Sequence, residues 1–167
     1  GTITNDDRAT LTISDAQAVT EGQTLEFRVK LSADVTGGVT VAYTTVDDTA
    51  TVAGADYGTR SGTLTFTGTR DETLVISVPT TGDTRVEPDE RLKVVLSNAA
   101  PVQVGLSPSI LSISRDTAVG SIVNDDRAAI SISSPRATEG SPLTFALTLS
   151  ADVQGGILVD YETVAGS

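Results

Sequence analysis

The chain contains no cysteine, histidine, methionine or tryptophan among its 167 residues. Without cysteine there is no disulfide and no thiolate zinc site. Without histidine, catalytic triads and metal centres that need imidazole are excluded. These absences remove most hydrolase and transition-metal chemistry from the functions open to this protein.

Basic residues are scarce, with 11 against 22 acidic residues and a net charge of −11. Such a field repels nucleic acid and anionic lipid and attracts divalent cations or basic partners. The same charge is equally typical of an acidic surface that only keeps a protein soluble. No apolar run approaches the roughly 20 residues of a membrane helix. We therefore expect no nucleic-acid partner and no membrane insertion.

Aromatic residues make up only 4% of the chain, so Val, Leu and Ile must fill the core. Apolar residues alternate with polar ones in residues 24–31 (TLEFRVKL), which predicts a half-buried β-strand. Similar alternation predicts strands near residues 11–13, 39–44, 63–67, 74–78, 92–96 and 118–123. Seven strands joined by turns predict an all-β fold, an immunoglobulin-like seven-stranded antiparallel β-sandwich.

Glycine and aspartate punctuate the predicted strands. Residues 68–72 (GTRDE) predict a hairpin, and residues 53–58 (AGADYG) predict a turn in which Asp56 has a structural role and Tyr57 is anchored. The longest irregular stretch is predicted at about residues 98–108. Together these signals place the acidic residues of the chain in loops.

An internal repeat is visible, because the sequence NDDRA occurs at residues 5–9 and again at 124–128. The motifs LSADV and GG at residues 31–38 return at 149–156. We therefore predict that residues 1–7 end a preceding repeat, 8–126 form a complete domain, and 127–167 are a truncated N-terminal part of the next repeat. Three strands cannot close a sandwich, so this part is expected to be mobile or to bury its apolar face against something outside the chain.

Adjacent carboxylates at Asp125 and Asp126 follow a β-rich segment and offer hard oxygen ligands to a cation. Each acidic motif also has a simpler interpretation. Asp47 and Asp48 are typical turn formers. Glu87 and Glu90 are also typical of solvated surface acids flanking Pro88, and Asp125 and Asp126 of a hydrophilic linker. The spacing of these residues alone leaves both interpretations open.

An ordered series of motifs resembles a Calx-beta repeat, the module of the sodium–calcium exchanger regulatory loop and of large bacterial surface proteins. The series comprises EG at 21–22, YTTVDDTA at 43–50, AGADY at 53–57, SGTLTF at 61–66, EPDE at 87–90 and GSIVNDD at 120–126. Because several motifs occur in the right order, the resemblance is more specific than any one of them.

The resemblance implies a seven-stranded sandwich that binds calcium at one end. The implied ligands are Glu21, Asp47, Asp83, Glu87, Glu90, Asp125 and Asp126, with the backbone carbonyl of Arg85 and the amide oxygen of Asn124. Calcium takes six to eight oxygen ligands, so several loops must contribute. Gly82, Thr84 and Asn124 stand where fully acidic members carry acids, so we expect fewer ions or weaker binding.

The function that we expect is a calcium-binding structural repeat of a bacterial secreted or cell-surface protein, with an adhesion or spacer role. Its expected partners are calcium ions, neighbouring repeats of the same chain, and a cell-surface protein or glycan. The alternatives are a metal-free sandwich that mediates protein or carbohydrate interaction, and a regulatory calcium sensor. We do not expect an enzyme. Asp83 and Glu87 form a carboxylate pair of the kind glycosidases use, but no aromatic substrate cleft is indicated.

Overall fold

The structure is a computed structural model that describes residues 7–164. The chain divides into two compact units. The first unit runs to Gly82 and resumes over Asp89–Val123, and the second takes Asp83–Pro88 and the described residues from Asn124 onward. The predicted domain limits at residues 7 and 126 stay predictions. Asn5 and Asp6, the start of the first NDDRA copy, lie outside the described residues.

Strands dominate the first unit, and the second has two short ones. The first unit contains β1 (Ala9–Ser14), β2 (Val19–Thr20), β3 (Thr24–Leu31), β4 (Val39–Asp47), β5 (Ser61–Phe66), β6 (Thr73–Pro79), β7 (Glu90–Pro101), β8 (Leu111–Arg115) and β9 (Thr117–Val123), with one 3₁₀ turn at Pro108–Ile110. The second unit contains β10 (Ile130–Ile132) and β11 (Leu147–Leu149). Over the described residues no helix is long and apolar enough to cross a membrane.

The first unit has two sheets, ordered β6-β3-β1-β8 and β2-β9-β7-β4-β5. Most neighbours are antiparallel, while β8 pairs parallel with β1 and β2 pairs parallel with β9. The predicted β-sandwich is therefore confirmed, and it holds two further short strands, β2 and β8. The opening segment of the chain is shared between the sheets, because β1 joins one sheet and β2 joins the other.

The core lies between the two sheets, and β3 shows how the sequence builds it. Leu25, Phe27, Val29 and Leu31 are fully buried, while the residues between them are exposed. Gly120 on β9 faces this row, and a Cβ there would lie 2.7 Å from the Phe27 ring. The small residue lets β9 of the second sheet approach the fully buried ring of Phe27.

Two predictions about the connections are wrong. Residues 68–72 do not form a hairpin, because β5 pairs with β4 in one sheet and β6 pairs with β3 in the other. Glu72 instead closes a crossover loop, where its carboxylate accepts hydrogen bonds from the backbone of Thr67 and Gly68. The irregular stretch also begins later than predicted. Asn98, with a φ of 51°, lies where the register shifts, and the ladder continues to Pro101.

The second unit is built on the antiparallel pair β10–β11. The segment Asp83–Pro88 joins this unit through Val86, which forms a parallel bridge with Val153. The Val86 amide donates to the Asp152 carbonyl, and the Gln154 amide donates to the Val86 carbonyl, both at 2.9 Å. A loop from the middle of the chain is thus hydrogen-bonded to the repeated LSADV motif.

Candidate metal centre

Several loops of the first unit meet at one end of the five-stranded sheet. The Glu21 amide donates to the carbonyl of Val123, the last residue of β9, at 3.2 Å. Gly82 lies against Gly22, since a Cβ on Gly22 would be 3.5 Å from the Gly82 nitrogen. The chain leaves the first unit after Gly82 and again after Val123. Both exits therefore lie beside the loop that carries Glu21.

Asp47 lies at the same end, where β4 finishes opposite Leu92 of β7. Its Oδ1 accepts a 2.6 Å hydrogen bond from the Tyr57 hydroxyl and a 3.1 Å bond from the Val52 amide. The Tyr57 side chain is buried, which with the carboxylate raises the pKa of its hydroxyl above the usual range. Asp47 therefore fixes the loop that follows β4, and the predicted anchoring of Tyr57 is confirmed.

Asp56 has the structural role that the turn predicted, because its Oδ2 accepts a 2.6 Å hydrogen bond from the Thr51 amide. It also has a neighbour that sequence reasoning missed. A carboxylate oxygen of Asp56 lies within 4.8 Å of one from Glu90, the first residue of β7. Both side chains are half-buried. The turn motif around Asp56 gave no sign of this pair, because the two residues are distant in sequence.

In the second unit, Asp83, Arg85 and Glu87 shape one loop. Asp83 Oδ1 accepts a 2.7 Å hydrogen bond from the Arg85 amide. The Arg85 guanidinium forms a 3.0 Å ion pair with Glu87, whose side chain is only 15% exposed. The sequence predicted only a backbone role for Arg85. Its side chain supplies a positive charge beside a candidate metal ligand.

Asn124 ties this loop to the acidic stretch that follows β9. Its amide oxygen accepts a 3.3 Å hydrogen bond from the Glu87 amide. Its amide nitrogen donates to the Asp126 carbonyl at 3.2 Å. Asn124 thus orients the two segments, a role that Asp at this position would not fill because a carboxylate offers no donor.

Asp126 is half-buried in the second unit. Within the described part of the chain, its Oδ2 is a buried side-chain oxygen with no hydrogen-bond partner. One of its carboxylate oxygens lies within 4.8 Å of one from Asp83. Burial, with the charges of Asp125 and Asp83, raises the pKa of the Asp126 carboxyl above its usual range. A buried anion without a partner is costly, and a bound cation removes that cost.

The predicted ligands therefore fall into two groups. Glu21, Asp47 and Glu90 lie at one end of the first unit, while the rest of the predicted set belongs to the second unit. Within that unit, Asp83, Arg85, Glu87, Asn124 and Asp126 are connected by contacts, and Asp125 is exposed beside Asp126. Carboxylate and amide oxygens are the donors that calcium prefers, so the donor set fits this ion. Ligation by each residue stays a prediction.

Comparison with known proteins identifies the family. The family model described as the Calx-beta domain matches residues 4–119. The chain therefore belongs to the Calx-beta domain family, and the predicted resemblance is confirmed. No curated protein sequence matches the chain.

Solved structures of Calx domains share the fold. The apo form of the Calx CBD1 domain matches at 25% identity with a TM-score of 0.59, covering 72% of this chain and 100% of that one. CBD12 from CALX1.2 matches at 25% identity and a TM-score of 0.58, covering 73% of this chain and 49% of that one. The calcium binding domain CBD12 of CALX1.1 matches at 25% identity and a TM-score of 0.52, covering 71% and 45%. Calcium binding is thus a described property of Calx domains such as CBD12 of CALX1.1.

Proposed function

We propose that this protein is a calcium-binding structural module whose bound calcium orders its acidic loops. The observation that carries the proposal is the buried, unpartnered Oδ2 of Asp126, which lies in an acidic setting with Asp83 and Asp125. Calcium supplies a divalent charge that carboxylates can share. Occupancy by calcium would satisfy this oxygen and offset the repulsion among its neighbours.

The proposed ligands include the nine residues named from the sequence. Asp83 and Asp126 form one close carboxylate pair, and Asp56 and Glu90 form another. We add Asp56 to the set, since its second carboxylate oxygen is not the one bonded to Thr51. Glu21, Asp47, Glu87, Asp125, the Arg85 carbonyl and the Asn124 amide oxygen complete the proposal.

Calcium would act on the connection between the two repeat copies through the loop that carries Asp83 and Glu87. This loop is hydrogen-bonded through Val86 to residues 152–154, which belong to the second copy of the repeat. If both acids bind one ion, the loop has fewer accessible conformations. The hydrogen bonds of Val86 with Asp152 and Gln154 are then stabilised. The proposed role is stiffening of the connection between repeats.

We further propose that the module belongs to a bacterial secreted or cell-surface protein and serves adhesion or spacing. The repeated motifs, the absence of cysteine and the net charge of −11 support an array of soluble, calcium-dependent spacers. Its partners would be neighbouring repeats and a cell-surface protein or glycan. Nucleic acid is not proposed as a partner, because phosphate and this surface repel each other.

Calorimetric titration of the chelator-treated protein with calcium chloride tests the proposal. We expect saturable binding that Glu87→Ala and Asp125→Ala each weaken by about tenfold or more, because each removes a charged ligand. Glu26→Gln is the matched control. Glu26 is an exposed acid on β3 that pairs with Arg28, and its loss should leave the binding isotherm unchanged.

The combined variant Glu87→Ala with Asp125→Ala should lose the binding altogether if the two residues share an ion. Equal affinity in wild type and in this double variant would contradict the ligand set. Two negative results together would contradict calcium binding itself: no heat of binding at millimolar calcium, and no change in melting temperature when calcium is added.

A further inference from the structure

The turn at the end of the LSADV motif has the same backbone conformation in both repeat copies. In the first unit, the Gly38 amide donates a 3.0 Å hydrogen bond to the Val35 carbonyl. In the second unit, the Gly156 amide donates a 3.0 Å bond to the Val153 carbonyl. The glycine pair of this turn has positive φ in both copies, with 82° and 92° in the first and 79° and 78° in the second. Residues 34–36 and 152–154 are therefore equivalent in structure as well as in sequence.

In the second unit, this segment holds the loop of residues 83–88. Val86 of the loop forms a parallel bridge with Val153. Two backbone hydrogen bonds of 2.9 Å make the bridge, and they use the carbonyl of Asp152 and the amide of Gln154. The Val153 carbonyl takes no part, because it closes the turn with Gly156. The recognition is thus made by one acceptor and one donor two residues apart on the backbone.

In the first unit, the equivalent groups are the Asp34 carbonyl and the Thr36 amide. Within the described part of the chain, neither of these two groups forms a hydrogen bond. Val35 between them is paired on its other side, because its amide donates to the Gly68 carbonyl at 2.8 Å. A short backbone edge with an open acceptor and an open donor is a site for a β-bridge from another segment. Residues 34–36 therefore present the same backbone groups that residues 152–154 use.

A cavity of about 100 Å³ lies beside this edge in the first unit. It is lined by Asp7, Arg8, Asp34, Val35, Leu106 and Ile110 among others. Its lining thus combines the NDDRA motif with the LSADV motif. In the second unit, the loop of residues 83–88 is hydrogen-bonded to both motifs, through Glu87 to Asn124 and through Val86 to residues 152–154. The cavity lies between the same two motifs and is larger than the roughly 30 Å³ that one water takes, so it has room for a small side chain.

We propose that residues 34–36, with the adjoining cavity, are a docking edge for the loop between β6 and β7 of another copy of the repeat. The residue of that loop equivalent to Val86 exchanges two backbone hydrogen bonds with Asp34 and Thr36. The loop must come from another copy, because residues 83–88 are already paired within the second unit. Loop and edge are different surfaces, so the contact is heterologous and joins repeats head to tail. The inference needs only backbone hydrogen bonds and goes beyond the proposed calcium binding.

The test lengthens the chain by one repeat, with residues 1–126 placed directly before residues 8–167. The join keeps the sequence NDDRA, because Arg8 and Ala9 repeat Arg127 and Ala128. Only residues 8–167 of the lengthened chain are isotopically labelled, and amide exchange is measured by NMR in chelator and again in calcium. We expect the labelled Thr36 amide to exchange about tenfold or more slowly than in the original chain, because it gains a hydrogen bond that the linkage favours.

Val86→Pro in the added repeat should return the exchange rate of Thr36 to that of the original chain, because proline has no amide to donate. Val104→Pro in the added repeat is the matched control, since Val104 is 97% exposed, and it should leave the protection of Thr36 in place. Unchanged exchange of Thr36 in the lengthened chain, in chelator and in calcium, would overturn the proposal, and so would protection that survives Val86→Pro.

Reverse labelling gives a measurement that needs no variant. With only the added repeat labelled, its Val86 amide should exchange as slowly as the Val86 amide of the original chain, which is bonded to Asp152. Fast exchange of the added Val86 amide would also overturn the proposal. Failure of calcium to bind would leave both exchange results as expected here, so the two proposals are tested separately.

Discussion

The Tyr57 hydroxyl donates a 2.6 Å hydrogen bond to Asp47 Oδ1, and this bond joins a buried ring to a candidate calcium ligand. The Tyr57 hydroxyl also interacts with the Thr45 side chain through a hydrogen bond and with the charge of Asp56. Asp47 is exposed, yet its position depends on a residue of the core. The acidic end of the first unit is therefore held in place by packing as well as by the charges that it carries.

Tyr57→Phe should lower the free energy of unfolding by about 1–2 kcal/mol, because it removes a hydrogen bond to a charged group while keeping the ring. Chemical denaturation in chelator measures the change. Tyr161→Phe is the matched control, since that side chain is 88% exposed. Equal stability of wild type and Tyr57→Phe would show that the bond to Asp47 contributes nothing.

Asp126→Asn should raise the melting temperature in chelator at neutral pH, because it removes a charge whose pKa is raised by burial and by two neighbouring acids. The same variant should lose most of the stabilisation that calcium gives the wild type. Scanning calorimetry with chelator and then with calcium measures both effects. A melting temperature in chelator below that of wild type would contradict the idea that Asp126 is under electrostatic stress.

Arg85→Gln should strengthen calcium binding several-fold, because it removes the guanidinium that competes for Glu87 and leaves the backbone carbonyl in place. Titration calorimetry at two salt concentrations tests this, and the advantage should shrink at high salt. Arg28→Gln is the control, because Arg28 lies on β3, which carries none of the proposed ligands. This substitution should not alter the affinity for calcium. Weaker binding by Arg85→Gln would indicate that the Arg85–Glu87 pair organises the site.

Asp15 gives the fold a stability that depends on pH. Its hydrogen bonds with the Arg115 side chain and the Val119 amide lower the pKa of its carboxyl. A lowered folded-state pKa gives stability that is present above the unfolded pKa, near 4, and is lost as the pH falls through the folded value. Asp15→Asn should cost about 1 kcal/mol or less at neutral pH, since the pair is exposed, and the cost should disappear in strong acid. Denaturation at neutral and acidic pH measures it.

The sequence predicted the sandwich well where alternation is strong, as in β3, whose four apolar residues are all buried. It missed β8, because Leu111 and Ile113 give only two apolar positions after a proline-containing stretch. It placed a hairpin at residues 68–72 because neighbouring strands usually pair, whereas here the chain changes sheets.

The candidate site was harder to predict than the fold. The motifs gave the acidic residue types and the order in which they occur. They gave neither the burial of Asp126 Oδ2 nor the ion pair of Arg85 with Glu87, because both depend on loop conformations that no periodic pattern encodes. The pair formed by Asp56 and Glu90 was missed for the same reason.

Hydrogen exchange at the amides of Val86 and Gln154 tests most directly whether calcium orders the loop at the junction. These amides form the two 2.9 Å bonds that join residues 83–88 to the second repeat copy. We predict that calcium slows both exchange rates and raises the melting temperature. The free energy of unfolding should rise by about 2.7 kcal/mol at a free calcium concentration of 100 times the dissociation constant. Unchanged exchange of both amides at saturating calcium would contradict the account.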